Sequence, residues 1–145
     1  MKEFREFLEV GIVKRLSPNV LRAKDLIQES ERKYKSLKQI INKIGLSNEN
    51  SNDIIEYCYD IIIGLIRAKM YFDGYKSSGK GAHEAEVSYL MEMGFSETES
   101  RFMNEMRYFR NGIKYYGRHF GEDYSKRVVR YMEEMVVKLR KLVKF

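Results

Sequence analysis

The stretch that decides the fold is DIIEYCYDIIIGLIRAKMYF, residues 53–72. Its apolar residues occupy so many successive positions that a helix built from them has little polar surface left. The segment is too long for a strand, and its apolar residues follow no consistent period of two. A helix that is apolar on nearly all sides belongs at the centre of a bundle. The segment therefore predicts an all-α protein with this helix in the middle.

Further helices are predicted on the N-terminal side of this segment. Residues 2–15 space their apolar side chains as an amphipathic helix does. Ser17 is a good N-cap and Pro18 is favoured at a first helical position, so a second, long helix is expected to begin there. Residues 46–52, LSNENSN, have the composition of a turn that leads into the central helix.

The stretch GYKSSGKGA, residues 74–82, looks the most flexible in the chain. Its glycines, serines and lysines raise the alternative of a phosphate-binding loop. The spacing between its glycines is too short for a P-loop, however, and the stretch follows a helix rather than a strand. We therefore favour a flexible connector over a phosphate-binding loop.

Three more helices are predicted after this connector. A short one spans residues 83–93, and Ser96 with Glu99 forms a capping box that opens the next. Gly117 is expected to end that helix, and a last helix runs over residues 122–143. The helix after the capping box carries an expected core stripe, made of Phe102, Met106, Phe109, Ile113 and Tyr116.

Composition limits the class of protein. The chain has 145 residues, 43% hydrophobic and 13% aromatic, which suits one folded domain over residues 1–145 rather than disorder. The predicted architecture is an up-and-down bundle of five or six helices. A formal net charge of +6 favours polyanionic partners such as RNA, or an acidic protein surface.

The same composition bears on compartment and cofactors. The single cysteine, Cys58, excludes an intrachain disulfide, and the charged N-terminus lacks the apolar core of a signal peptide. No apolar stretch is long enough for a membrane span, so we expect a cytoplasmic protein with no membrane partner. Neither nucleotide-cofactor motifs nor clustered metal ligands occur, and we expect no cofactor and no metal.

The most informative segment for function is RYFRNGIKYYGRH, residues 107–119. Basic side chains neutralise phosphates, and tyrosines offer surfaces on which unpaired bases stack. The alternative interpretation is a helix whose aromatic residues lie in the core and whose basic residues form a solvated face. The segment contains four basic residues, four aromatic residues and one imidazole: Arg107, Arg110, Lys114 and Arg118; Tyr108, Phe109, Tyr115 and Tyr116; and His119.

The sequence RYFRNGIKYYG, preceded by GKGAHEAEVSYL and a serine-capped helix, resembles the HEPN family (higher eukaryote and prokaryote nucleotide-binding domains). The resemblance extends over residues 17–143. In HEPN ribonucleases an Arg is usually followed by a polar residue, and a His stands after four to six residues that intervene between it and the Arg. The resemblance implies metal-independent attack of a ribose 2′-hydroxyl on the neighbouring phosphate. It also implies a homodimer with two motifs in one cleft, and a nucleotidyltransferase antitoxin as partner.

The chain departs from this motif at the histidine. Arg110 and Asn111 match, but the positions where His is expected hold Tyr115, Tyr116 and Gly117. Tyrosine, with a pKa near ~10, is a poor general base, whereas histidine, near ~6.5, exchanges protons at neutral pH. On a regular helix the first Tyr of this pair lies ~140° from the Arg, so the two converge only at a distorted helix end or across a dimer interface.

The resemblance assigns two sets of site residues. The catalytic set is Arg110, Asn111, Tyr115 and His119, the last being an imidazole outside the usual spacing. The set that binds nucleic acid or nucleotide is Arg107, Arg110, Lys114, Tyr116 and Arg118. A second histidine, His83, is expected to begin its helix or to pack against the motif helix.

Three functions remain open from the sequence. The first is an RNA- or nucleotide-binding HEPN protein, the toxin-like half of a toxin–antitoxin or defence pair, with a degenerate catalytic motif. The second is an active metal-independent endoribonuclease that uses Arg110 with His119 or Tyr115. The third is a protein-interaction module that binds a nucleotidyltransferase partner and no RNA.

Overall fold

The central segment forms the helix around which the chain is built. A computed structural model describes residues 1–144, so Phe145, the last residue of the predicted domain, lies outside the described part. In chain order the helices and strands are α1 (Phe4–Glu9), β1 (Val13–Arg15), α2 (Val20–Lys43), α3 (Ser51–Asp73), β2 (Tyr75–Ser77), α4 (Ala82–Glu92), α5 (Glu97–Tyr116) and α6 (Glu122–Leu142). Thirteen of the 23 residues of α3 are buried, and this helix packs against α2, α4, α5 and α6. The prediction of a mostly helical protein centred on this segment is confirmed.

A two-stranded antiparallel sheet is the feature that the sequence did not predict. The helix expected over residues 2–15 stops at Glu9, and Gly11 then takes a left-handed φ of 81° that a helix does not allow. The chain continues as β1, where Val13 is buried and pairs with Ser77 of β2. β2 lies in the stretch predicted to be a flexible connector. Both predictions were wrong at these residues because each three-residue strand is ordered only by a partner far away in the sequence.

Local signals for helix ends were read more accurately. Ser96 and Glu99 form the predicted capping box at the start of α5, and Gly117 ends that helix with a left-handed φ of 63°. The cap of α2 was misplaced, because Asn19 rather than Ser17 accepts the hydrogen bond from the backbone N–H of Arg22. An Asn side chain is as good an N-cap as Ser, so the start of the helix moves by two residues.

The contact between α2 and α3 depends on a glycine. A Cβ at Gly64 would lie 2.2 Å from Oγ of the buried Ser30. We therefore expect Gly64→Ala to lower the free energy of unfolding by about 1–3 kcal/mol through overpacking. In a Ser30→Ala background the same change meets only the Cβ at 3.6 Å, an ordinary contact. There alanine is expected to raise stability by up to about 1 kcal/mol, its helix-propensity advantage over glycine.

Urea denaturation of the four proteins in this cycle measures the coupling between the two positions. An equal effect of Gly64→Ala in both backgrounds would contradict the close contact between the helices.

Candidate nucleic-acid interface

The C-terminal end of α5 is shaped by two glycines. The helix is continuous to Tyr116, and the left-handed conformation of Gly117 turns the chain back so that the N–H of Arg118 donates to the carbonyl of Gly112 at 3.1 Å. The aliphatic stem of Arg118 lies over Gly112, where a Cβ would be 3.2 Å from its Cδ. Gly112 therefore leaves space for the side chain of Arg118 after the end of the helix.

Three tyrosines surround this helix end. Tyr108, Tyr115 and Tyr116 are 69%, 67% and 76% exposed, and every other tyrosine of the chain is buried or half-buried. Together with Asn111, Gly112 and Arg118 they line an open cavity of about 330 Å³, here called the tyrosine cleft. Exposed apolar surface that is concentrated in one patch is typical of an interaction site. The clustering of these three aromatic rings therefore indicates a binding surface.

Basic side chains accompany the tyrosine cleft. The guanidinium carbon of Arg107 lies 5.9 Å from the ring centroid of Tyr108, and its Nε donates to the side chain of Asn104. Lys114 and Arg118 are exposed, and no acidic side chain lines the cleft. The predicted core stripe is corrected at its last position, because Tyr116 projects beyond the packed part of the bundle and stays in solvent.

Arg110 faces the opposite way. Its side chain is 16% exposed, and its Nη2 lies 3.8 Å from Asp60 Oδ1 of α3. Its guanidinium carbon lies 5.3 Å from the ring centroid of Tyr59, in a cation–π arrangement. Because α5 is regular to its end, the angular separation predicted between Arg110 and Tyr115 is retained and the two do not converge within one chain.

His119 lies in the loop between α5 and α6. Asn52 holds this loop by donating to the carbonyl of Arg118 at 2.8 Å and by accepting from the N–H of Phe120 at 2.9 Å. Ser51 donates to the carbonyl of Phe120. His119 itself is exposed and does not line the tyrosine cleft. One chain therefore does not bring the four predicted catalytic residues together, because the loop is tied to the start of α3.

A polar network beneath Arg110 was missed as a candidate site. The Tyr59 hydroxyl lies 3.0 Å from Nδ1 of His83, and the two rings are stacked with centroids 6.0 Å apart. Arg67 places Nη2 3.3 Å from the other ring nitrogen of His83 and donates from Nε to Glu86 at 2.7 Å. As expected, His83 stands in the first turn of α4, but it reaches the motif helix through Tyr59. Arg67 lies on another helix, 16 residues before His83 and 19 before Glu86, so the network leaves no local pattern in the sequence.

The protonation state of His83 follows from its neighbours. Burial lowers the pKa of the imidazole below its ordinary value, and the cations of Arg67, Arg110 and Arg107 act in the same direction, against the opposing effect of Glu86. Because an arginine only donates, the ring nitrogen facing Arg67 accepts and Nδ1 carries the proton toward the Tyr59 hydroxyl. His83 is thus neutral at pH 7, with both nitrogens engaged.

This lowered pKa makes a prediction about acid stability. The unfolded chain binds a proton at His83 near the ordinary value of 6.5, and the folded protein binds it only at lower pH. Stability from this group is therefore complete above that value and is lost as the pH falls through the folded pKa. We expect the free energy of unfolding to fall as the pH drops below about 6.5 in the wild type, and to fall less in His83→Asn.

Denaturation at each pH measures this slope, and His119→Asn is the matched control because that imidazole is exposed. An unchanged slope in His83→Asn would contradict a buried neutral histidine.

A groove more than twice as large as the tyrosine cleft is a poorer candidate for RNA. It encloses about 740 Å³ between α2 and α3, away from the tyrosine cleft. Two cations and four carboxylates line it, namely Arg32 and Lys33 with Glu49, Asp53, Glu56 and Asp60. A net negative lining repels a polyanion, so volume alone does not identify the site.

Two further searches and the comparisons with known proteins yielded no positive finding. Within residues 1–144, His, Cys, Asp and Glu side chains form no group of three or more that would hold a metal ion. None of the helices in that range is both long and apolar enough to cross a membrane. No family model matches the chain, and no curated protein or solved structure matches it significantly.

Proposed function

We propose that this chain is an RNA-binding protein of the HEPN type whose tyrosine cleft binds single-stranded RNA. The observation that carries the proposal is the clustering of the three strongly exposed tyrosines at one helix end with Arg118, where the last turn of α5 also carries the exposed Lys114. Aromatic rings stack on unpaired bases, and basic side chains contact the phosphates between them. Double-stranded RNA offers no free base faces, so the cleft is suited to single strands.

Binding without cleavage is the activity that this geometry favours. Metal-independent cleavage requires a group that takes a proton from the ribose hydroxyl, within hydrogen-bond reach of the phosphate held by Arg. Arg110 is packed onto Tyr59 on one side of α5, and Asn111 and Tyr115 lie on the other. We therefore propose a HEPN protein with a degenerate motif. In this protein Arg110 packs α5 against α3.

The wider setting is proposed from the resemblance of residues 17–143 to the HEPN family. In that setting the chain forms a homodimer and acts as the toxin-like half of a pair with a nucleotidyltransferase antitoxin in the cytoplasm. Size-exclusion chromatography with light scattering measures the oligomeric state directly. A monomer at all concentrations would refute the homodimer and leave RNA binding at the tyrosine cleft intact.

The salt dependence of binding tests the phosphate contacts. Each phosphate neutralised on a single strand contributes about −0.7 to the slope of log K against log salt concentration. If Arg107, Lys114 and Arg118 each contact one phosphate, the slope is about −2, and Lys114→Ala is expected to reduce its magnitude by about 0.7. Fluorescence anisotropy with a labelled single-stranded RNA measures both values.

The control for this prediction is Lys126→Ala, which removes an exposed lysine from α6 and is expected to leave the slope unchanged. Equal slopes for the wild type and Lys114→Ala would show that Lys114 makes no phosphate contact.

A cleavage assay separates this proposal from an active ribonuclease. Purified wild-type protein is incubated with mixed cellular RNA in EDTA, beside Arg110→Ala and His119→Ala. We expect no cleavage by any of the three. Cleavage by the wild type that is lost in Arg110→Ala, with 2′,3′-cyclic phosphate ends, would establish the ribonuclease and overturn the degenerate motif.

A further inference from the structure

A second cavity lies at the start of α4 and shares no residue with the tyrosine cleft. It encloses about 340 Å³ between α2, α3, β2 and the first turn of α4. Its polar lining consists of Arg22, Arg67, Lys76, Ser77, His83 and Glu86. Residues 74–82, for which the sequence favoured a flexible connector over a phosphate-binding loop, supply one wall.

The charge of this cavity is unbalanced. Glu86 is the only acidic residue in the lining, against three cations. Its Oε2 already accepts from Arg67 Nε and from Ser77 Oγ, both at 2.7 Å. Within residues 1–144, the remaining two cations, Arg22 and Lys76, have no carboxylate within ion-pair distance. The cavity therefore carries a local charge of about +2, which an anion with two negative charges would neutralise.

Glu86 also holds an oxygen that nothing satisfies. The residue is 4% exposed, and its Oε1 is a buried acceptor without a hydrogen-bond partner. Leaving such a group unpaired costs about 1–3 kcal/mol. Glu86 lines the cavity, so a ligand bound there would supply the missing donor. The arrangement calls for a donor, which a bare anion such as chloride does not have.

The backbone beside the cavity favours the same ligand. Gly81 precedes α4 with a left-handed φ of 91°, and no side chain caps the helix. The N–H of Ala82 already donates to the carbonyl of Gly79 at 3.2 Å, but the N–H groups that follow it in the first turn carry partial positive charge that favours an anion. Gly79 and Ala82 line the cavity, so this uncapped end borders the space that the cations surround.

We propose that this cavity binds a small phosphomonoester that carries a hydroxyl group. Arg22, Arg67 and Lys76 hold the phosphate, and Oε1 of Glu86 accepts from the hydroxyl. The inference stands independently of RNA binding, because it rests on none of the residues of the tyrosine cleft. It assigns residues 74–82 a role in binding phosphate, without the geometry of a P-loop.

The two histidines of the chain provide a direct readout of binding. His83 lies at the cavity and contacts Tyr59 and Arg67 of α3, shares its helix with Glu86, and is near Arg107 and Arg110 of α5. His119 is distant and exposed. Proton NMR of the full chain, with the signals assigned in His119→Asn, follows both imidazoles during titration with sulfate, a dianion without a donor, and with ribose 5-phosphate.

The expected result is a saturable shift of the His83 signal with both probes and none for His119. Ribose 5-phosphate is expected to bind about tenfold more tightly than sulfate, because at neutral pH only the phosphomonoester supplies a hydroxyl donor. Arg22→Ala/Lys76→Ala, which changes two exposed side chains, is expected to weaken both by at least about tenfold. Lys126→Ala/Arg130→Ala removes the same charge from α6 and is expected to change neither.

Three outcomes would overturn parts or all of the proposal. Absence of a saturable shift with either probe would refute the site. Equal affinity for the two probes would refute the role of Glu86 as acceptor of a ligand hydroxyl. Equal losses of affinity in the two double variants would show that binding depends on the net charge of the protein and not on this cavity. None of these outcomes changes the RNA-binding proposal, which is tested at Tyr115 and Tyr116.

Discussion

Simultaneous replacement of Tyr115 and Tyr116 by alanine is expected to weaken binding of single-stranded RNA by at least about thirtyfold. Stacking of one base on an aromatic side chain contributes about 1–3 kcal/mol, and the double variant removes two of the three exposed rings of the tyrosine cleft. Both rings are in solvent in the free protein, so the free energy of unfolding is expected to change by less than about 0.5 kcal/mol. Anisotropy titrations and urea denaturation measure the two effects.

The matched control for this variant is Leu21→Ala/Ile44→Ala. Both side chains are 77% exposed, and both lie on α2, or at its C-terminal end, rather than on α5. We expect this control to bind RNA as the wild type does. Equal affinity of the tyrosine double variant and the wild type would remove the observation on which the proposed function rests. The protein-interaction alternative would then become the better explanation of the exposed rings.

Replacement of Tyr59 by alanine is expected to lower the free energy of unfolding by about 3–5 kcal/mol. The side chain is fully buried in α3, where its ring lies beneath the guanidinium of Arg110 and beside the imidazole of His83. Truncation leaves a cavity at the point where α3, α4 and α5 meet. A loss of this size is a large part of the stability of a domain, typically about 5–15 kcal/mol.

Tyr59→Phe separates packing from hydrogen bonding at the same position. The ring and its contact with Arg110 remain, and only the hydroxyl that meets Nδ1 of His83 is removed. The expected loss is about 1–3 kcal/mol, the cost of leaving a half-buried donor unpaired. Chemical denaturation of both variants gives the comparison. If Tyr59→Phe were as unstable as Tyr59→Ala, the hydroxyl and not the ring would connect the three helices.

These two predictions distinguish the two faces of α5. The tyrosine cleft is expected to affect RNA affinity with little change in stability, and the side that carries Arg110 is expected to affect stability first. Arg110→Ala is expected to lower stability, as the Tyr59 variants do, although the resemblance groups Arg110 with Asn111 and Tyr115 at the functional site. The motif is therefore divided between binding and packing by the rotation of the helix between successive residues.

Local signals in the sequence determined most of the helices. The capping box of Ser96 and Glu99 and the glycine at position 117 act within one helical turn, so their effect is visible without the rest of the chain. The central helix was equally evident, since its apolar residues require burial on all sides whatever surrounds them. The cluster of aromatic and basic residues at the end of α5 was likewise present in the sequence as a candidate site.

Only the tertiary structure decided how the residues of that candidate site are arranged. The resemblance placed Arg110 and His119 in one group, but Arg110 turns toward Tyr59 on α3 and the loop with His119 is held by Asn52. The tertiary structure also decided the strands Val13–Arg15 and Tyr75–Ser77, because each is ordered only by pairing with the other. Each of these features depends on contacts between residues far apart in the chain. Such contacts leave no periodic pattern, and the energy that selects them appears only when the helices have packed.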